Sequence, residues 1–367
     1  LADNSVLDVE IICKEGPNKG EVIGHLPANI ASTETPALWV IHGNTYVDEE
    51  GNTKTFTDEN VTSAKIIVIS PTGTGTATAA RYDDLQTAFN SVTDGGTITL
   101  YDDFDVSTTI INDKSITLDL NGYKITGVSN DTVITNNGTL TLKNGTVDAG
   151  TANGSVAVSN NGTLTVGEDE GFSTLLTGCF AISGGTATSV LTITGGTFES
   201  NGSTDRSNAL YVTGNVTITG GVFTSEGRSN AGLPRTSAIH ITGDGSTLLI
   251  NPGDEQVVVF SEDNYAITIE GDITATICGG TFTSDGPRDE LYRANDIGSF
   301  VISGGTFAHE PSSDHIAEHH AVVREGNVYT VIPQPTIVNT SVTDIGLLAN
   351  SLATNASVEL TITITGN

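Results

Sequence analysis

Basic residues are scarce in this chain. Among 367 residues, 14 lysines and arginines stand against 44 aspartates and glutamates, which gives a formal net charge of −30. A surface of this sign repels nucleic-acid phosphates and anionic lipid headgroups. The composition therefore predicts no nucleic-acid partner and favours partners that are neutral, cationic or metal ions.

Long apolar runs are absent as well. No segment approaches the roughly 18 to 20 apolar residues that a membrane-spanning helix requires. We therefore expect no insertion into a membrane. With 37% apolar residues, the chain can still bury a core.

Glycine, by contrast, is abundant, with 42 residues, and many glycines recur in internal repeats. A strand-like segment with two glycines precedes each of four phenylalanines: Phe198, Phe223, Phe282 and Phe307. Upstream, the Asn-Asn-Gly-Thr segment at 136–142 returns 24 residues later at 160–166. Self-similarity of this kind indicates a repeat architecture.

The repeat units predict an all-β parallel solenoid of about nine coils. Short strands with alternating apolar and polar residues are separated by turns rich in glycine and asparagine. Isoleucine and leucine would face inward, and threonine would face solvent because its β-branch suits an extended backbone. The glycine pairs and the Asn-Gly turns would supply backbone angles that side chains forbid. The four phenylalanines would stack along one edge. A leucine-rich-repeat horseshoe is disfavoured, since no helical segment recurs.

The chain also divides into modules. We predict a small N-terminal β domain at 1–70, a linker at 71–80, the solenoid at 81–332 and a C-terminal strand module at 333–367. The solenoid begins with a helix at 81–92 that covers its open end. The apolar face of that helix holds Tyr82, Leu85, Phe89 and Val92. The strand of the C-terminal module presents alternating apolar residues that we predict as assembly contacts: Val358, Leu360, Ile362 and Ile364.

Residues 81 to about 307 resemble the right-handed parallel β-helix repeats of large surface proteins from Gram-positive gut bacteria. In those proteins an amphipathic helix, a Thr-Ile-Thr-Leu-Asp-Leu-Asn-Gly coil and Ile-Thr-Gly-Gly-Thr-Phe coils follow one another. The matching residues here are Leu85 to Val92, Ser115 to Gly122 and the four glycine pairs. The β-helical fibres and tailspikes of bacteriophages are similar. The resemblance implies a right-handed β-helix on a virion or a bacterial cell surface.

The same fold hosts pectin-acting lyases and hydrolases, so acidic residues were considered as catalysts. A glycosidase needs two carboxylates across a cleft. The candidates lie in predicted loops: Asp102, Asp103, Asp105, Asp205 with Arg206, and Asp285 with Arg288 and Asp289. No acidic set recurs at the spacing of one coil, so we predict no catalytic residue and no cofactor.

The sharpest local motif is His315-Ile316-Ala317-Glu318-His319. On a helix, this H-x-x-E-H pattern places two imidazoles on one face beside a glutamate and would bind zinc. His309, Glu310 and His320 lie close in sequence. The favoured interpretation is nevertheless a polar loop at the end of the solenoid, since a strand follows at 328–332, with zinc or nickel binding as the alternative.

Two scarce residue types complete the picture. On the predicted solenoid, Cys179 and Cys278 lie about four coils apart, roughly 19 Å along the axis, which is too far for a disulfide. Together with Cys13, these unpaired thiols favour assembly in a reducing compartment. Only 5% of residues are aromatic. Tyr211, Tyr265 and Tyr292 are candidates for exposed rings, but the sequence predicts no aromatic stripe for sugar binding.

These patterns favour a non-catalytic display protein, a β-helical rod on a virion or cell surface that adheres to a host or to glycans. Its expected partners are further copies of itself or other structural proteins, bound through the terminal modules, and surface glycans; a homo-oligomer is expected. One alternative is a polysaccharide lyase or hydrolase. Another is a subunit of a self-assembling extracellular filament, in which the C-terminal strand completes a neighbour's sheet.

Overall fold

The protein is an all-β, mostly parallel β-solenoid with very little helix. A computed structural model describes these residues: 9–12, 22–26, 45–47, 53–55, 65–71, 77–128, 131–202, 207–226, 237–253, 255–262, 265–285 and 290–334. The assembly strand predicted at 358–364 and most of the two predicted terminal modules lie outside these ranges. Within them, no helix is long and apolar enough to cross a membrane.

The elements that the structure describes are strands, one α-helix and two short 3-10 helices. In chain order the strands are β1 (Val9–Ile12), β2 (Val22–Leu26), β3 (Thr45–Val47), β4 (Thr53–Thr55), β5 (Ile66–Pro71), β6 (Ala77–Tyr82), β7 (Thr97–Leu100), β8 (Phe104–Val106), β9 (Ile110–Asn112), β10 (Ser115–Asp119), β11 (Lys124–Gly127), β12 (Thr132–Asn136), β13 (Thr139–Lys143), β14 (Thr146–Asp148), β15 (Val156–Asn160), β16 (Thr163–Gly167), β17 (Leu175–Gly178), β18 (Phe180–Gly184), β19 (Val190–Ile193), β20 (Thr197–Ser200), β21 (Asn208–Ile218), β22 (Gly221–Ser225), β23 (Ser237–Ile250), β24 (Val257–Ser261), β25 (Tyr265–Glu270), β26 (Thr274–Ser284), β27 (Leu291–Arg293), β28 (Ser299–Phe307), β29 (His320–Glu325) and β30 (Val328–Pro333). The helix α1 is Leu85–Ser91, and the 3-10 helices are Ala294–Asp296 and Ser313–His315.

Each coil adds one strand, or part of a long one, to each of three parallel faces. The first face stacks β7, β10, β13, β16, β19, then parts of β21, β23, β26 and β28. The second face stacks β8, β11, β14, β17, β20, β22, β24, then parts of β26 and β28. The third face stacks β9, β12, β15, β18, parts of β21 and β23, then β25 and β27.

The solenoid has about seven coils, slightly fewer than the nine predicted. Nine rungs follow one another on the first face, but the first (97–112) and the last (299–307) are terminal. Antiparallel strands pair with both terminal rungs. The cap strands β5 and β30 pack on these two ends.

The predicted alternation of core and surface holds on the first face. One buried column runs from coil to coil: Leu118, Leu142, Val166, Ile193, Ile218, Ile250, Ile277 and Ile302. The neighbouring residues Thr117, Thr141 and Thr165 are half-exposed. Full burial of one such aliphatic side chain contributes about 1.5–3 kcal/mol, so the stacked columns hold successive coils together.

Asparagine forms a second, polar column in coils that repeat every 24 residues. The amides of Asn112, Asn136 and Asn160 are buried. Asn112 Nδ2 donates to Asn136 Oδ1 and Asn136 Nδ2 donates to Asn160 Oδ1, each at 2.8 Å, and Asn160 Nδ2 donates to the carbonyl oxygen of Val190 at 3.0 Å. The glycines that follow do not adopt left-handed angles there, which corrects our explanation of the Asn-Gly turns. A Cβ at Gly138 would lie 2.3 Å from the carbonyl oxygen of Lys114 in the preceding coil. These turns need glycine because the coils approach closely.

The glycine pairs behave as predicted at their second position. Gly196, Gly221, Gly280 and Gly305 all have φ between +102° and +114°. The phenylalanines that follow are fully buried and stack in pairs: Phe198 on Phe223 at 4.9 Å and Phe282 on Phe307 at 5.0 Å. Val259 occupies the rung between the pairs, so the stack is interrupted and lies in the core.

The N-terminal end of the solenoid is covered, as predicted, by an amphipathic helix. Leu85, Ala88 and Phe89 of α1 are buried. Asp84 caps the helix by accepting a hydrogen bond from the backbone N–H of Thr87 at 2.7 Å. Lys114, in the next coil, donates from Nζ to three backbone carbonyls near the helix C-terminus, at 2.5–3.1 Å.

A hairpin completes this cap and corrects the predicted linker. Strands β5 and β6 pair with each other, and β5 also pairs antiparallel with β7 of the first coil. The predicted boundary at residue 70 therefore falls inside a strand of the cap. The Ser-Pro-Thr-Gly-Thr-Gly composition indicated a linker, but the flanking strands form a hairpin.

The C-terminal end is closed differently. The last coil ends at Phe307, and β30 pairs antiparallel with β28 at that point. Strands β29 and β30 form a hairpin, so the segment from 308 to 332, predicted as solenoid, is a cap. Both described cysteines, Cys179 (buried) and Cys278 (exposed), are free, in agreement with the geometric prediction.

Candidate functional site

The histidine motif does not form a zinc-binding helix. His315 ends a 3-10 helix, and His319 has a positive φ of 60°. The side chains of Glu318 and His319 are 88% and 78% exposed, and Glu318 Oε1 lies 3.4 Å from His319 Nε2. The helix, which was the less favoured interpretation, does not form because the chain turns back into β29 at His320. Among the described residues, no group of three or more His, Cys, Asp or Glu side chains is arranged to hold a metal ion.

The acidic loop candidates near the first coil have structural contacts. Asp102 pairs with Lys65 at 3.2 Å, and Asp103 accepts a hydrogen bond from the backbone N–H of Lys124 at 2.8 Å. Asp105 is exposed on β8. The candidates Asp205, Arg206, Arg288 and Asp289 lie outside the described residues.

A different group of charges meets at the end of the first face. This acid–lysine cluster consists of Asp119, Lys143, Asn144 and Asp169, from three successive coils. Lys143 Nζ lies 2.5 Å from Asp169 Oδ2 and 3.8 Å from Asp119 Oδ2. Asn144 Nδ2 donates to Asp169 Oδ2 at 2.8 Å and to Asp119 Oδ1 at 3.1 Å. Asn144 adopts φ +64°, a left-handed conformation that asparagine tolerates better than most residues.

The two carboxyls of this cluster differ in acidity. Burial raises the pKa of Asp119, and the nearby Lys143 charge offsets only part of that effect. At Asp169, burial also opposes ionisation, but hydrogen bonds from Lys143 and Asn144 outweigh it and lower the pKa. Carboxyls whose pKa values are driven apart can act as an acid and a base. The same contacts also tie three coils together.

A buried carboxylate marks the C-terminal end of the core. A column of fully buried alanines runs along the third face: Ala157, Ala181, Ala209, Ala238 and Ala266. In the last rung, Leu291 is in register with Ile267. Glu290, which precedes Leu291, therefore aligns with Ala266 and continues the alanine column. Glu290 is 2% exposed, and its Oε1 lies 2.7 Å from His309 Nδ1. Its Oε2 accepts the His309 backbone N–H at 3.2 Å.

This burial has an electrostatic consequence. Burial raises the pKa of Glu290, and the hydrogen bond from His309 offsets it in part. Beside the pair, a small pocket is lined by Leu291, Phe307 and Glu310 together with Pro311, Ser312 and His315. The histidine and glutamate of this region thus fasten the C-terminal cap to the last coil.

The third face carries a row of larger polar and aromatic side chains, each one residue after a core position. Successive coils place Tyr211, His240, Thr268 and Tyr292 in register. We call these four residues the third-face row. The residues that precede them in each strand, such as Leu210 and Ile239, belong to the core.

Contacts within and beside the row are aromatic. Phe180 lies 5.7 Å from Tyr211, and Tyr211 meets the His240 ring edge-on at 5.0 Å. At the other end, Tyr265 and Tyr292 stack at 4.4 Å. Tyr211 is 40% exposed, whereas His240 and Thr268 are buried.

The sequence did not reveal this row. Tyr211, Tyr265 and Tyr292 were considered singly, but unequal coil lengths give them no fixed period. The available signal was the common position of Tyr211, His240 and Thr268 within their strands, each one residue after an aligned buried aliphatic residue. Only the register of the coils brings them together.

Comparison with protein-family models, curated proteins and solved structures found no match for this chain.

Proposed function

We propose that the chain is a non-catalytic display protein, a capped β-solenoid rod on the surface of a virion or a bacterial cell that adheres to glycans or a host. The supporting observation is the continuous core, which stacks nine rungs on the first face and is covered at its N-terminal end by α1 and the β5–β6 hairpin. Such a stack is rigid along its axis and keeps its two ends apart. The resemblance to gut bacterial surface repeats and phage fibres agrees with this role.

The terminal modules fit attachment. In this proposal, the segments before 65 and after 334 contact other copies of the chain or other structural proteins. The partners and the location on a virion or cell surface are parts of the same proposal.

Imaging tests the proposal directly. Electron tomography of native particles and cells, with antibodies against residues 97–307, should show label at the outer surface at a regular density. Genes for capsid proteins next to the coding gene would favour the virion, and genes for sortase or secretion would favour the cell wall. Label confined to the cell interior, with none on particles, would overturn the proposal.

A polysaccharide lyase or hydrolase is the second candidate, and the acid–lysine cluster favours it. Asp119 and Asp169 have pKa values shifted in opposite directions around one lysine. If the cluster is catalytic, the chain turns over an acidic polysaccharide such as polygalacturonate, and Asp119→Asn abolishes turnover. Asp148→Asn is the matched control, because Asp148 also pairs with a lysine, Lys124, at 2.7 Å. No turnover by the wild-type chain would dismiss this candidate.

A filament subunit is the third candidate. Among the described strands, the residues 299–301 at the end of the first face pair only with β26. That edge is open to strand addition, and the segment 358–364 has the alternating pattern of a rung. Deletion of 354–367 should then abolish assembly and leave the solenoid folded. Unchanged assembly would refute the filament.

A further inference from the structure

The outer surface of the first face is formed by two columns of uncharged side chains. Both columns alternate with the buried aliphatic residues of the face, and their members are half-exposed or exposed. We call the longer one the first-face column; it holds Thr97, Thr117, Thr141, Thr165, Thr192, Thr217, Leu249, Thr276 and Val301. The shorter one lies two residues earlier in each strand and holds Ser115, Thr139, Thr163, Val190, Asn215, Thr247, Thr274 and Ser299.

The absence of charge from these two columns distinguishes the first face from the second. The second face holds Asp105, Asp148 and Glu199 in one outward column. The acid–lysine cluster lies only at one margin of the first face, two residues after the first-face column. Because the chain carries a net charge of −30, two copies repel each other unless they meet over uncharged surface. The first face provides that surface.

Two exposed aliphatic side chains lie in the first-face column. Leu249 is 37% exposed and Val301 is 38% exposed. They are two rungs apart, with Thr276 between them, which places them about 10 Å apart along the axis. Removal of apolar surface from water favours association. A partner that covers both side chains must present apolar groups at the same spacing, and a second copy of the chain does so.

The direction of the second copy decides which residues meet. In a two-fold dimer whose axis runs along the first-face column, each residue of that column faces its own copy. Leu249 then meets Leu249, and Val301 meets Val301. If the rods ran in opposite directions about the central residue, Thr192, Leu249 would face Thr141. Val301 would then face Thr97. The parallel direction is favoured, because it brings the aliphatic side chains together.

The size of the face sets the expected strength of the contact. Nine rungs separated by about 4.8 Å give a length of about 38 Å, and a four-residue strand spans about 13 Å. The face therefore offers about 500 Å² on each copy, or about 1,000 Å² in total, which is the lower limit for a specific interface. A reversible dimer is expected rather than a permanent one.

We propose that two copies of the chain pack through their first faces as a parallel homodimer, with the first-face column of each copy on the two-fold axis. The facing sheets lie about 10 Å apart, and threonine methyl groups and the two aliphatic pairs meet between them. The N-terminal caps of both copies lie at the same end of the dimer. This inference goes beyond the proposed function and does not depend on where the rod is displayed.

Sedimentation equilibrium of the full chain tests the dimer, with a reductant present because Cys278 is exposed. The wild-type chain should pass from monomer to dimer as its concentration rises, and more readily at high salt, which screens the repulsion between the copies. Leu249→Glu places two like charges opposite each other and should weaken dimerisation at least about tenfold. Val222→Glu is the matched control, because Val222 is 36% exposed at an outward position of the second face. It should dimerise within about threefold of wild type.

A mixture of two variants tests the direction of the rods. Leu249→Lys should also dimerise weakly by itself, but its mixture with Leu249→Glu should dimerise at least about tenfold more strongly than either variant alone. Position 249 faces its own copy only in the parallel dimer, so rods in opposite directions would gain nothing on mixing. The mixture of Val222→Lys with Val222→Glu controls for a general effect of opposite charges and should show no gain.

Three results would overturn the proposal. These are a wild-type chain that stays monomeric at every concentration and salt, a dimer that Leu249→Glu weakens no more than Val222→Glu does, or no gain when the two Leu249 variants are mixed. Equal thermal unfolding midpoints for Leu249→Glu and Val222→Glu would show that both variants fold. Sedimentation and imaging fail independently, since a displayed monomer would leave display intact and a dimer absent from every surface would refute display alone.

Discussion

The two halves of the solenoid are held in register by different means. In the amide-ladder half, residues 97–184, the strands of the third face repeat every 24 residues and a column of buried asparagines links them. In the glycine-pair half, residues 190–307, the coils have unequal lengths, and positive-φ glycines and stacked phenylalanines take over. Lysine side chains pair with acids only in the first half among the described residues.

The difference shows what each device permits. An amide ladder needs a donor and an acceptor at the same position in every coil, so it suits coils of constant length. A glycine corner followed by a buried phenylalanine fixes only one corner of a coil. The remaining turns in that half can vary in length, and the third-face row lies there.

Phe223→Ala should have the largest effect on stability. The ring is fully buried against Phe198, and its loss leaves a cavity that costs about 3–5 kcal/mol. Urea unfolding measures the change. Val222→Ala, at the adjacent exposed position, should change stability by less than about 0.5 kcal/mol. Equal effects for both would contradict the assignment of the phenylalanine to the core.

Asn136→Ala should come next, with a loss of about 1–3 kcal/mol. The variant removes the bonds that Asn136 makes to Asn112, Asn160 and the carbonyl oxygen of Thr163, and leaves buried polar atoms without partners. Asn137→Ala tests the specificity of the buried column, because Asn137 bonds in a parallel but exposed row. Its loss should cost less than about 0.5 kcal/mol. If Asn136→Ala lowered the unfolding free energy as little as Asn137→Ala, the buried asparagine column would not be what sets the register of the coils.

Gly221→Ala should cost about 1–2 kcal/mol. Its φ of +114° lies outside the left-handed region that alanine reaches, and a Cβ would lie 3.0 Å from the carbonyl oxygen of Gly196. Gly245→Ala is the comparison, since φ is +79° there and no atom lies within 4 Å of the added Cβ. It should cost less. Thermal unfolding measures both variants. A larger loss of stability for Gly245→Ala than for Gly221→Ala would contradict the described geometry of the glycine corner.

The smallest effects should appear in the pH dependence of the unfolding free energy. The contributions of Glu290, in the second half, and Asp169, in the first, should change with pH in opposite directions. The native pKa of Glu290 is raised, so the folded chain retains a proton that the unfolded chain has released. Stability from this group therefore falls as pH rises from about 4.5 through the raised value. The native pKa of Asp169 is lowered, so its contribution is present at neutral pH and is lost as pH falls below about 3.8.

Two variants isolate these terms. The difference in unfolding free energy between wild type and Glu290→Gln should decrease with rising pH across its window. The corresponding difference for Asp169→Asn should decrease with falling pH across its own. Slopes of the same sign for both variants would show that one of the two environments is described wrongly.

The sequence was sufficient for the fold but not for its side-chain columns. Alternating Ile and Thr in repeated strands predicted the parallel solenoid, and the spacing of Leu85 and Phe89 predicted the capping helix. The buried role of Asn112, Asn136 and Asn160 was missed, although their common spacing of 24 residues was visible. The pairs Asn137-Gly138 and Asn161-Gly162 are typical of turns, so the pattern does not indicate that the asparagine before each pair points inward.

The sites were harder to predict for a physical reason. His315, Glu318 and His319 have helical spacing, but a nearby turn and hairpin place the last two in solvent. In the third-face row, by contrast, turns of unequal length separate the four residues in sequence. The hydrogen-bonded register of the coils nevertheless aligns them in space. Contacts between coils depend on turn lengths, which the pattern of single strands does not specify.

The central claim is that residues 97–307 form one rigid solenoid. Ser115 and Ser299 are exposed and lie in the same column, seven rungs apart. Spin labels at these two positions, in a chain whose three cysteines are replaced by serine, allow the distance to be measured by double electron–electron resonance. The account predicts one narrow distribution centred near about 34 Å, from seven steps of about 4.8 Å. A broad distribution, or a maximum far from this distance, would contradict it.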